Sequence, residues 1–140
     1  MKLLTTILIS GLLSTSLLAG DAIKQGKLAS DMRAMLNAIT DIQRAGFYFN
    51  KDGMKDGVKR LKLGLHSLTT TDAKSYLPDE KAYADKFAAK RASMIALYAD
   101  DMIESLENNK IDDALEDYSQ IVRQCTSCHS RMRKNAWKLK

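Results

Sequence analysis

The stretch Ile111–His129, IDDALEDYSQIVRQCTSCH, lays two patterns on one element. Ile111, Leu115, Tyr118, Ile121, Val122 and Cys125 recur at spacings of three and four, which makes them one apolar stripe of a helix. The stripe runs into Cys125-Thr126-Ser127-Cys128-His129, a C-x-x-C-H run. On a helix Cys125, Cys128 and His129 stand at i, i+3 and i+4 and share a face. That spacing reads as a covalent attachment site for haem c, in which two thiols bond the vinyl groups and the imidazole reaches the iron.

Two other chemistries use the same residue types. A redox-active dithiol needs a βαβ context, and the surrounding spacing is helical instead. A structural zinc site needs four Cys or His ligands, whereas the chain holds two Cys and two His, so His66 and a further group would have to complete it. Both cysteines fall inside the motif, with histidine at the required next position.

The opposite end of the chain agrees with the haem reading. Lys2 precedes an apolar run from Leu3 to Leu18, followed by Ala19-Gly20 and Asp21. A short basic region, an apolar core and small residues at a cut point describe a secretory signal peptide over 1–20, with cleavage near Ala19 or Gly20 and export to the periplasm. Leu17 or Leu18 stands two before that cut, so a retained membrane tether is the alternative.

The remaining 21–140, about 120 residues, suffice for one hydrophobic core. The chain's 22 Lys and Arg face 17 Asp and Glu, a formal charge of +5, and loss of Lys2 leaves +4. Arg123, Arg131, Arg133, Lys134, Lys138 and Lys140 surround or follow the motif. Such a rim would neutralise haem propionates and attract an acidic periplasmic redox partner, or simply place cations at a helix carboxyl end. A short patch without a recognition motif on an exported chain argues against nucleic-acid binding.

Helical periodicity extends outward from the motif. Helix A starts between Ala22 and Ser30, carries Leu28, Met32, Met35, Ile39, Ile42, Gly46 and Phe49, and stops at Asn50-Lys51-Asp52-Gly53. Helix B, from Met54 to Ser67, presents Val58, Leu61, Leu65 and Leu68, and Gly57 and Gly64 weaken it. Thr69-Thr70-Thr71-Asp72 and the single proline, Pro78, mark a polar connection. Helix C opens at Asp79 and Glu80, shows an apolar face of Tyr83, Phe87, Met94, Leu97, Tyr98 and Ile103, and closes at Asn108-Asn109. Helix D is the stretch already quoted, and no strand is expected.

Four amphipathic helices with short connections favour an all-α, antiparallel up-down-up-down four-helix bundle, with haem c near the carboxyl end of the last helix. That topology sets His129 beside Met32 and Met35 of early helix A. Phe47, Tyr48 and Val58 would form an exposed strip suited to a homodimer.

In helix order over the mature chain, and in Cys125-x-x-Cys128-His129-x-x-Met132-Arg133, the sequence resembles the cytochrome c-prime family of mono-haem four-helix-bundle cytochromes. The family usually has an aromatic residue where Met132 stands, while Arg133 matches and is offered by the resemblance as a propionate contact. Met32-x-x-Met35 resembles the family's helix A spacing, which implies that Met32 faces the sixth position of the iron with Met35 as the fallback. Leu28 stands where an arginine is usual, so a propionate partner must come from elsewhere.

The sixth position separates two functions. Methionine ligation gives a low-spin iron of raised potential suited to electron transfer. A methionine that only packs over the haem leaves a five-coordinate iron that binds a small gas such as NO or CO. Methionines at helical spacing are also ordinary core fillers. His66 reads as a surface histidine, and Asp100-Asp101-Glu104 and Asp112-Asp113-Glu116-Asp117 as solvated faces and helix-start acids. No turnover of a substrate is expected.

Overall fold

The computed structural model describes residues 16–69 and 84–132, with side chains from residue 26 onward. Four long helices, α1 (Ser16–Phe47), α2 (Lys51–Gly64), α4 (Ala84–Glu107) and α5 (Ile111–Met132), are joined by a single helical turn, α3 (His66–Thr69), and no described residue is in a strand. The chain is therefore all-helical and compatible with a bundle. None of the described helices is long and apolar enough to cross a membrane. Residues 1–15 of the expected leader, the Thr70–Tyr83 connection with Pro78 and the expected start of helix C, and everything from Arg133 onward lie outside the described residues.

The helix ends follow from local chemistry. Phe49 and Asn109 adopt left-handed backbone angles, φ 53° and 59°, just after α1 and α4. At those turns Asn50 N–H donates to the Ala45 carbonyl at 2.9 Å, and Lys110 N–H to that of Ser105 at 2.8 Å, which satisfies carbonyls the helices leave over. Asparagine tolerates this conformation readily; phenylalanine does so at a cost of about 1 kcal/mol. The turn also leaves Phe49 88% exposed, so it belongs to no core stripe.

Asn50 ends one helix and begins the next. Its side-chain oxygen accepts from Gly53 N–H at 2.9 Å, the bond of a helix N-cap, so Lys51–Gly53 are the first turn of α2 rather than the end of helix A. A Cβ on Gly53 would lie 2.8 Å from Asn50 Nδ2, so the residue that looks like a breaker leaves room for the cap. At its other end α2 stops at Gly64, and α3 is a separate turn whose Ser67 hydroxyl donates to Asp31 of α1. Helix α1 begins at Ser16, earlier than its periodicity indicates, and runs through the expected cut point.

Along α1 and α2 the facing residues are Gly46 with Met54, Ile42 with Gly57 and Met35 with Gly64. Across α4 and α5, Arg91 meets Gln124 and Phe87 meets Arg131. The shared core includes Met35, Ala38, Ile42, Val58, Leu61, Ile95, Met102, Leu106 and Ile121. Burying a side chain such as Leu61 or Ile42 stabilises the fold by about 2 kcal/mol. Val58 is wholly buried here, so it contributes nothing to an exposed strip, whereas Phe47 and Tyr48 remain exposed.

Helix α4 turns a different face inward from the one its large residues suggest. Its buried residues are Ala84, Ala88, Ala92, Ile95, Ala99, Met102 and Leu106, while Leu97 is 57% exposed and Phe87, Met94, Tyr98 and Ile103 are half-buried. Small side chains let α4 lie close against its neighbours, and close packing over the length of a helix outweighs burial of one leucine. Helix α5 likewise buries Ala114, Ile121 and Gln124 and exposes much of Leu115 and Ile111 at its start.

Candidate cofactor site

Helix α1 packs along α2, and α4 along α5, but α1 and α5 form no packed seam. Between them lies a cleft of about 260 Å³. Met32, Met35, Leu36 and Ile39 of α1 make one wall, with Leu68 of α3 beside them. The facing wall is the end of α5, where Cys125, Cys128 and His129 line the same cleft with Val122 and Thr126. Ala92 and Ile95 of α4 close the back, and Arg91 joins them there. The three motif residues share this wall because the helix runs unbroken through them to Met132.

Both cysteines are free thiols, partly buried. Burial pushes the Cys125 thiol up to about 11, with the neighbouring Cys128 adding to the effect. Cys128 is also raised by burial, against the pull of the positive charge on Arg91. Both are thus protonated at neutral pH, the opposite of the lowered thiol that a dithiol oxidoreductase needs. Among the described residues, no three His, Cys, Asp or Glu side chains converge closely enough to hold a metal ion. Cys125, Cys128 and His129 follow one another along the face of α5 that lines the cleft.

The two methionines differ in what holds them. Met35 is buried, with its Cγ and Sδ in the hollow that Gly64 leaves on α2. Met32 is half-buried, packs at the edge of the core and lines the cleft without such a seat. Met35 is therefore committed to the α1–α2 seam, and Met32 has the freer thioether. His66 is exposed on α3 and does not line the cleft. Arg133, named from the sequence as a propionate contact, is outside the described residues.

A contribution from α4 was not anticipated from sequence. Arg91 donates from Nη1 to Gln124 Oε1 at 2.6 Å, and Gln124 is buried immediately before Cys125. The guanidinium also lies over the Phe87 ring, 4.8 Å from its centroid, and Arg131 of α5 approaches the same ring at 5.0 Å. The only sequence signal was an arginine next to the small-residue run that includes Ala88 and Ala92. Among the described residues, the walls of the cleft are hydrocarbon and thioether, its reactive groups are two thiols and an imidazole, and its charged lining residue is a cation, a lining suited to an apolar group that carries an anionic substituent.

The chain matches no protein-family model, no curated protein and no solved structure.

Proposed function

We propose that this protein is an exported mono-haem c-type cytochrome that carries electrons in the periplasm, built as an antiparallel up-down-up-down four-helix bundle. The observation that carries the reading is that Cys125, Cys128 and His129, the whole of a C-x-x-C-H run, line one apolar cleft opposite Met32. A bound haem would supply a one-electron Fe(III)/Fe(II) couple. Each thiol would add across a vinyl group, forming one S–C bond and delivering its proton to the neighbouring carbon, with nothing oxidised or reduced.

His129 would hold the iron on the α5 side. Met32 would face it from α1, and a sulfur ligand there favours the reduced state and limits structural change between oxidation states. The hydrocarbon of Leu36, Ile39, Leu68 and Ile95 would exclude water from the ring, which also favours the less charged ferrous form. The alternative keeps the same cofactor and makes Met32 a packing residue, leaving a five-coordinate iron that binds NO or CO.

The test is expression with a haem c maturation system, followed by intact mass and the oxidised absorption spectrum into the far red. Covalent haem with a low-spin spectrum and a methionine-to-iron charge-transfer band supports the electron carrier, and Met32→Ala then makes the iron high-spin and lowers the potential. Covalent haem with a high-spin spectrum that Met32→Ala leaves high-spin moves the assignment to gas binding. A chain that matures without covalent haem overturns both.

A further inference from the structure

The guanidinium of Arg91 is poorly compensated. Its Nε is buried and has no hydrogen-bond partner, Nη1 is used on a neutral amide, and among the described residues no carboxylate lies within ion-pair distance. A second guanidinium, that of Arg131, shares the Phe87 ring with it. Stacking on an aromatic ring returns less to a guanidinium than withdrawing its charge from water costs. Two cations gathered at one ring, one with an unused buried donor, make a positive site at the cleft wall that an anion would complete.

The surrounding groups select the kind of anion. Described residues of α1 and α3 that line the cleft are apolar, so they offer Arg91 no counter-charge. The titratable groups of α5 in the cleft are Cys125, Cys128 and His129, all assigned above to thioether bonds or to the iron. We propose that Arg91, supported by Gln124 and Phe87 and assisted by Arg131, is the carboxylate seat of the cleft and takes a haem propionate. This deepens, and rests on, the haem reading. Arg91 is a positioning residue: with the vinyl edge fixed by Cys125 and Cys128, a second anchor restrains how the ring lies across the cleft.

The experiment is resonance Raman of the haem-loaded protein in the propionate-bending region, with the reduction potential measured on the same samples, for wild type, Arg91→Gln and Arg91→Lys. Lys90→Gln, an exposed change on α4, is the control for loss of one positive charge. The expected result is a shifted propionate band in Arg91→Gln, a smaller shift in Arg91→Lys and none in the control. Loss of the Arg91 charge should also move the redox equilibrium about tenfold toward the ferric form, while lysine largely restores it. If Arg91→Gln does not mature, Arg91→Lys carries the test, because it keeps the charge and loses the planar fork. Propionate bands unchanged in a haem-loaded Arg91 variant overturn this seat and leave the haem reading standing. A wild-type chain without covalent haem overturns both, and the mass of the wild type alone distinguishes that case.

Discussion

Helix α1 has two flanks that are built on opposite principles. Toward α2, glycine hollows at Gly57 and Gly64 receive Ile42 and Met35, and an Arg60–Asp41 bond at 2.7 Å closes the outer edge. Toward α5, its methionine, leucine and isoleucine side chains face a cleft without a packed seam. Both flanks are apolar, so hydrophobicity does not distinguish them. What differs is whether the partner helix gives up its side chains to permit contact. Where it does, two helices lock; where it keeps cysteines and a histidine, a gap remains that a ligand can fill.

The sharpest way to break the closed flank is Gly57→Ala. A Cβ there would lie 2.5 Å from Ile42 Cγ1 and 3.3 Å from the Ala38 carbonyl oxygen and the Ile42 nitrogen, so backbone as well as side chain must yield. Overpacking of about 2–3 kcal/mol exceeds the ~1 kcal/mol that alanine gains in helix propensity. Thermal unfolding should occur roughly 5–8 °C lower. An unchanged melting temperature would mean that the seam is looser than its glycines indicate.

Removing the cap that starts the same seam has a smaller effect. Asn50→Ala deletes the acceptor of the Gly53 N–H bond, and urea unfolding should show a loss of about 1 kcal/mol at unchanged m. Gly64→Ala links the two flanks. The new Cβ would run into Met35 Cγ, near the root of that buried side chain, so Met35 must leave its hollow; overpacking of about 2 kcal/mol against the ~1 kcal/mol that alanine gains in helix propensity leaves a net loss of about 1 kcal/mol. If the cleft holds haem as proposed, its spectrum should change as well; an unchanged spectrum would show that Met35 does not border the site.

The smallest effect belongs to the α4–α5 seam. Burial, and the charges of Asp101, Asp113 and Glu116, raise the Asp117 carboxyl above its ordinary value, although Ser105 offsets part of this with a hydrogen bond. An acid that binds its proton more tightly when folded makes the fold less stable as pH rises through its titration. Asp117→Asn should therefore stabilise the protein at pH 7 by a few tenths of a kcal/mol after solvent screening, and the gain should vanish below about pH 3, where aspartate is itself neutral. A gain that persists in acid would point to packing instead of charge.

Legibility from sequence was uneven for identifiable reasons. Leu61, Leu65 and Leu68 sit inside on the expected face because large aliphatics at helical spacing carry a strong signal. The inward face of α4 was misread because its signal is alanine: a stripe of Ala84, Ala88, Ala92 and Ala99 contributes little to a hydrophobic pattern yet allows the closest approach of helices. Gly57 and Gly64 read as weaknesses for the same reason, since a missing side chain acquires meaning only from what occupies its space. Arg91 and Gln124 were invisible, because their pairing spans two helices.

The sequence by itself determined that this chain is helical and that Cys125, Cys128 and His129 share a face, since both follow from a repeat of 3.6 residues along one continuous segment. The tertiary structure alone decided which side of α4 turns inward, that Met35 is occupied at Gly64 while Met32 borders the cleft, and that an arginine stands at its wall. Those outcomes depend on volumes and charges brought together from residues far apart in the chain, and periodicity within one helix contains no record of them.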